Sequence, residues 1–274
     1  MTWDDLVLLA QRFPVLEGDD RIYGFSQSFR GDPFTLARTI AELRGISPVD
    51  AVRMRATIDT NEWRKIFEWV AALFRSEAVY QPSASDWSRE DLTPQERELI
   101  HHNVFLIGRS AMTIENSYFL DMLKTAPSPV AWEVVTVPVD PDNPGVSNGI
   151  SVSNIYTIHV NSTDPKAAWE LVKFVNGEEA ARLQSRSTSE LLARPAHMKE
   201  KDGRNVEAFY KLNFGRDRFA GYFDERVPSA FYGTLHETAN GELSEVIRNG
   251  KSLDEAIRNI QNQAQAMLDL ERNK

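Results

Sequence analysis

Phe105-Leu106-Ile107-Gly108-Arg109-Ser110-Ala111-Met112-Thr113-Ile114-Glu115-Asn116-Ser117-Tyr118 changes the pattern of the chain. Beyond Gly108, Ala111-Met112-Thr113-Ile114 reads as a strand, and Tyr118 to Leu123 follows at once as a short helix. Trp132 to Val139 is a β-branched, strand-like run. Asp140 to Asn148 is a turn-rich connection, and Ile150 to Val160 is a second extended run.

Upstream the pattern is helical. Thr2 is placed to cap a helix, with Asp4 and Asp5 in the first turn favoured by the helix dipole and Pro14 as the stop. Arg21 to Ser26 is a strand candidate, and Phe34 to Leu43 suits a helix stopped near Gly45. Trp63, Ile66, Phe67, Val70, Leu73 and Phe74 mark the clearest amphipathic helix. After a polar loop from Gln81 to Arg89, Thr93-Pro94-Gln95-Glu96 reads as a capping box opening a helix to about His102.

Downstream, Asp164-Pro165 opens a helix carrying Ala168, Leu171, Val172 and Val175, and a further helix covers Glu178 to Gln184. Ser187 to Arg204 reads as irregular, and Phe209 to Phe223 is rich in aromatics. Two last helices cover about Ser229 to Asn240 and Ser252 to Leu270. Scattered strands among many helices point to an α/β or α+β architecture.

The chain has 274 residues, enough for one large domain or two small ones with a substantial core. Its formal charge of −9 offers no global positive field to collect phosphates, so a nucleic-acid partner is not expected. The absence of cysteine removes disulfides, thiol nucleophiles and cysteine metal sites. No apolar run reaches the ~20 residues of a spanning helix, and the first residues show no basic and apolar signal regions.

Catalytic and metal motifs fail one by one. His236-Glu237 begins a zinc-protease pattern, but Asn240 stands where the second histidine is needed. His101 and His102 are adjacent and point different ways on a helix. Asp140, Asp142 and Gly145 imitate a calcium loop, yet Ser151 replaces the bidentate glutamate; a connection is the reading, with a weak cation site near Asp140 as the alternative. No nucleophile elbow, Walker loop or dinucleotide fingerprint occurs, and Glu237 with Glu242 carries no glycosidase mark. No catalytic constellation, metal site or cofactor is expected.

Four segments in order resemble the family 1 extracellular solute-binding proteins of ABC importers, the maltose-binding-protein-like family. They are Thr2-Trp3-Asp4-Asp5-Leu6 with Tyr23-Gly24-Phe25; Phe105 to Tyr118, similar to the family's F-x-x-G-x-x-A-M-x-x-x-G-x-W stretch; Ala167 to Val175; and Gly250 to Ala256 with Gln261 and Gln263. Ile58 to Trp63 looks closest to the Gram-positive lipoprotein branch.

The resemblance implies a helix-rich α/β fold, periplasmic-binding-protein-like type II, holding mostly the C-terminal lobe with part of the N-terminal lobe. Residues 1–149 and 204–274 would form the two parts of the C-terminal lobe, and 150–203 would supply the hinge strand and helices that complete the N-terminal lobe. The family's Thr-Trp helix lies a third of the way along, so most of the first lobe, the signal sequence and the lipid anchor are expected to be absent from this chain.

The resemblance further implies a non-enzyme that captures a solute, a sugar or oligosaccharide, outside the cytoplasmic membrane and presents it to ABC permease subunits. Membrane association would come only through a lipid anchor that this chain lacks. Tyr118 stands where the family places a tryptophan, and Tyr232, in Ser229-Ala230-Phe231-Tyr232, looks like a second stacking aromatic. Glu115 and Asn116 replace the usual Asn-Gly, and Ser151, Ser153 and Asn154 are polar candidates on the hinge strand. Plain helix packing is the competing reading for both tyrosines, and Trp3, Trp63, Trp69 and Trp169 read as packing residues. Two rival functions stay open: a carbohydrate-active enzyme using Glu115 or Glu237, and a stand-alone interaction module. For a chain lacking its first lobe, an exposed apolar interface and self-association are expected.

Overall fold

Thr2 opens α1 (Trp3–Ala10) with a reciprocal cap: its hydroxyl accepts from the Asp5 amide, and the Asp5 carboxylate accepts from the Thr2 amide. The computed structural model describes residues 1–13, 21–27, 31–81, 103–126, 131–147, 155–186, 191–198, 200–201, 203–214 and 226–272. The helix expected from Thr93, the Trp87 loop and Ser151, Ser153 and Asn154 lie outside these.

The expected helices form, each with a local cause. In α2 (Pro33–Arg44), Asp32 caps the start, proline takes the first position, and Gly45 ends the helix at φ 65°. Thr60 caps α3 (Asn61–Arg75), which buries Trp63, Ile66, Phe67, Val70, Leu73 and Phe74 as the spacing requires. The short α4 (Phe119–Thr125) follows Tyr118. Asp164 and Pro165 open α5 (Pro165–Val175), and α6 (Glu178–Gln184) follows. The helix expected to end near Asn240 continues: α7 (Ser229–Ile247) runs through Gly241, whose missing side chain faces open space. Ser252 accepts from the Glu255 amide at the start of α8 (Leu253–Arg272).

The strands are short, and among the described residues two of the four pairs are parallel and two antiparallel. β1 (Ser26–Gln27) pairs in parallel with β4 (Thr113–Ile114), in register Ser26 with Thr113. Upstream of β1, Tyr23 bridges Ser110 on one side and Phe25 bridges Val79 on the other, both in parallel. Thr2 and Val139 make another parallel bridge. A small antiparallel pair joins β2 (Val49–Asp50) to β3 (Arg55–Ala56). β5 (Val146–Ser147) and β8 (Asn213–Phe214) are parallel; β6 (Glu200–Lys201) and β7 (Arg204–Asn205) are antiparallel. Parallel strands linked through helices decide the open choice in favour of α/β.

One core joins the beginning of the chain to its end. Trp3, Phe34, Trp63, Phe67, Phe231, Leu235, Ile257 and Ile260 belong to a single buried cluster drawn from α1, α2, α3, α7 and α8. Trp3 stacks on Trp69 and Phe34 on Trp63, with ring centres 6.2 and 6.3 Å apart. A smaller cluster gathers Leu120, Ala181, Leu192, Met198 and Val206.

Several expectations are corrected. Among the described residues Trp132 to Val139 forms no strand and bridges only at Val139, and the Trp132 carbonyl is taken by the Arg204 guanidinium, which also lies over its ring. Ile150 to Val160, expected as a second extended run, is described only from Ile155, where residues 155–159 form no strand among the described residues and 160–161 form a turn. α5 forms as expected yet buries none of its residues, so Trp169, read as a packing residue, is 53% exposed. Periodicity reports a helix's apolar face, not the presence of something to cover it.

Candidate functional site

The parallel pair β1–β4 ends at Gln27 and Ile114, and the chain leaves β4 directly into Glu115, Asn116 and Tyr118. In parallel α/β sheets, the carboxyl ends of the strands are where polar turns meet a solute, because the strand backbone satisfies itself and the following turn does not.

A buried asparagine organises this end. Asn103, 1% exposed, gives one amide hydrogen to Thr113 Oγ1 and the other to Glu115 Oε1, each at 2.6 Å. Its Oδ1 accepts from the Ser26 hydroxyl at 2.5 Å and from the Phe105 amide at 3.0 Å. The Thr113 hydroxyl donates to the Ser26 carbonyl at 3.1 Å, so the network ties β1, β4 and the turn at residues 104–107 together. Glu115 is thereby held at the rim by a donor that cannot move. Asn116 Oδ1 accepts from the Tyr118 amide at 3.0 Å, an Asx turn that presents the Tyr118 ring. That ring is 56% exposed.

Gln27 Nε2 donates to the Asp32 carbonyl at 3.0 Å, while its buried Oε1 has no partner among the described residues. Asp32 Oδ1 accepts the Thr35 amide at 2.8 Å, and its Oδ2 lies 3.4 Å from His236 Nε2 on α7. Neither Asn103 nor Gln27 stood out in the sequence. The available signal was Asn103 immediately before the apolar run Val104-Phe105-Leu106-Ile107, a placement that favours a side-chain-capped turn.

The structure therefore brings Glu115, Asn116 and Tyr118 onto one turn. Tyr232, one turn of α7 before His236, is 7% exposed in the main core and lies edge-on to Phe231 at 5.3 Å. Asp140, weighed as a cation ligand, is paired with Arg44 at 2.5 Å and accepts the Asp142 amide, which uses its charge locally. Among the described residues no group of three or more acids and histidines could hold a metal. None of the described helices is long and apolar enough to cross a membrane.

No protein-family model matches the chain, and no curated protein matches it. Solved structures do, and they define the fold as that of the ABC-importer substrate-binding proteins. The sugar-binding protein MalE from the phytopathogen Xanthomonas citri superimposes with a TM-score of 0.65 at 14% identity, over 99% of this chain and 64% of that one. A cyclic α-maltosyl-1,6-maltose binding protein from Arthrobacter globiformis gives 0.59 at 15% identity, over 97% and 64%. A solute-binding protein from Thermotoga lettingae bound with α-D-tagatose gives 0.55 at 18% identity, over 97% and 64%. The chain thus spans 64% of the length of these structures.

Proposed function

We propose that this chain is the larger part of a sugar- or oligosaccharide-binding protein of an ABC importer, acting by non-covalent capture outside the cytoplasmic membrane. The observation that carries the proposal is the exposed Tyr118 ring beside a fixed Glu115, at the carboxyl end of parallel strands. An aromatic face stacks on the C–H side of a sugar ring, and a held carboxylate accepts from its hydroxyls. The sugars named for the structural neighbours support the same substrate class.

In this reading residues 1–149 and 204–274 build the second lobe, which the shared core of α1–α3 with α7 and α8 supports. Residues 150–203, including the polar candidates Ser151, Ser153 and Asn154, complete a first lobe that the rest of the neighbours' length would supply. A lone second lobe desolvates only one side of a sugar, so its affinity would be poor. Permease subunits are the proposed partners of the closed form, with any membrane attachment through a lipid anchor.

A thermal-shift screen against mono- and oligosaccharides tests this, run on the chain and on a version carrying a first lobe from any in-frame upstream sequence. A sugar-specific shift in the two-lobe protein that Tyr118→Ala weakens by about tenfold or more in affinity is the expected result. No shift with any sugar would sink the proposal.

A further inference from the structure

Val139 marks the point where the chain passes the start of α1. Its amide donates to the Met1 carbonyl at 3.0 Å, and it bridges Thr2 in parallel. From there Asp140-Pro141-Asp142-Asn143-Pro144-Gly145 turns towards β5, which pairs with β8. The Asn213 amide holds the far end by donating to the Gly145 carbonyl at 2.8 Å. Between these two ends residues 141–145 are all exposed, and Pro141 and Pro144 have no amide with which to anchor themselves.

Packing beneath this segment is incomplete. A partly open cavity of about 640 Å³ separates it from the body of the fold, with Ile46, Thr57 and Thr60 on one side and Pro138, Asp142 and Val146 on the other. A segment laid on a packed surface is fixed by many small contacts, and one laid over a cavity forfeits them on that side. Polar contacts must then hold it.

Arg44 supplies one. As the last residue of α2 it reaches Asp140 at 2.5 Å, and the two side chains are 16% and 29% exposed, so water and salt screen the pair only in part. Its guanidinium also lies 5.4 Å from the centre of the Trp69 ring, which stacks on Trp3 and donates to Asp4 at 2.6 Å. One side chain thus ties the segment to the aromatic pair that seats α1. The other charged residues lining the cavity, Glu62 and Asp142, are both acidic. Without the Arg44 charge three carboxylates would share the cavity, and the segment would be pushed off the body instead of drawn to it.

We propose that residues 139–146 form a strap latched by the Arg44–Asp140 pair, and that breaking the pair releases the strap from the body. Its use rests on the two-lobe reading, in which this segment is where the chain leaves the second lobe for the first. Arg44 and Asp140 are then positioning residues for lobe movement and touch no solute.

The chain has no cysteine, so two introduced cysteines can carry spin labels with no competing site. Labels at Asn143→Cys on the strap and at Val52→Cys, in the exposed turn between β2 and β3, report the distance from strap to body by double electron–electron resonance. A single short distance should dominate in that labelled chain. Adding Asp140→Asn should raise the ratio of long to short distances about tenfold, as expected for a partly buried pair. Arg44→Gln should raise it further, because it leaves the three acids facing one another. Asp140→Glu keeps the charge and should keep the short distance. The same distribution in all four proteins, a broad one already present without the third substitution, or release by Asp140→Glu as well would each overturn the proposal. Loss of helical circular dichroism in Asp140→Asn would overturn it too, by making the pair part of the fold rather than a latch. No sugar enters the measurement, so a chain that binds no sugar can still show the latch, and a rigid strap leaves the sugar-binding reading untouched.

Discussion

Asn103 donates to Glu115 Oε1 at 2.6 Å from a position that is itself 1% exposed, so a rim carboxylate is fixed by a residue of the interior. The same side chain serves Ser26, Thr113 and the Phe105 amide. Replacing it by alanine strands the fully buried Ser26 hydroxyl and removes the 2.6 Å bond to Glu115. Each buried group left unsatisfied costs about 1–3 kcal/mol, so Asn103→Ala should destabilise the chain by about 2–4 kcal/mol. Urea unfolding would show this as a lower midpoint at unchanged slope. Asn103→Asp keeps the acceptor but sets a second carboxylate against Glu115, so part of its loss should be recovered as pH falls through the carboxylate range.

The open edge of β3 is closed by side chains rather than by a strand. Gln265 Oε1 accepts the Ala56 amide at 2.9 Å, and Gln261 Nε2 donates to the Ala56 carbonyl at 2.9 Å. Gln261 Oε1 also takes the Ile58 amide at 2.8 Å. Gln261→Leu preserves the bulk on α8 and leaves three backbone groups short of a partner, because the Asp59 amide also bonds to that oxygen. The expected cost is about 2 kcal/mol, against under about 0.5 for Gln263→Leu on the same helix, read by thermal unfolding of both variants. Equal effects would show that Gln261 is not acting as a strand substitute.

What the sequence made legible follows the range of each interaction. The caps expected at Thr2 and Asp164 act over three residues, and both operate as local rules require. The covered faces of α1 and α3 follow from spacing alone. Strand pairing depends on a partner distant in sequence, so Trp132 to Val139 could carry strand chemistry and still, among the described residues, pair only at its end. Trp169 misleads for the same reason: helical spacing identifies an apolar stripe, but burial belongs to whatever lies opposite. At the candidate site Glu115, Asn116 and Tyr118 were proposed from the family resemblance, and they share one turn because they follow β4 directly. Asn103 was not, because its role comes from Ser26, 77 residues away.

Gly24 carries the close approach of α1 to the strand that leads into β1. A Cβ there would lie 2.0 Å from the Ala10 carbonyl oxygen and 2.5 Å from its Cα, both backbone atoms that cannot rotate away. Gly24→Ala must therefore displace the end of α1 or bend the strand between its bridges to Ser110 and Val79. Overpacking a core costs about 1–3 kcal/mol where side chains can adjust, and a backbone clash belongs at or above the upper end. The expected result is a loss of about 3 kcal/mol or more in urea unfolding; a loss under about 1 would mean that α1 shifts freely.

The α1 cap gives the acid limb of stability a traceable source. The Thr2 backbone amide, and after it the Thr2 hydroxyl, hold the Asp5 carboxyl below the usual carboxylate range. A carboxyl whose folded value is depressed contributes stability above its unfolded value of about 3.9, and the contribution is lost as pH falls through the folded value. Asp5→Asn removes the charge and keeps the shape. The urea midpoints of the two proteins should therefore differ by a constant amount from about pH 7 to about pH 5, then converge below about pH 4. A difference that persists undiminished at about pH 2 would assign the effect to the shape of the side chain rather than to its charge at the helix start.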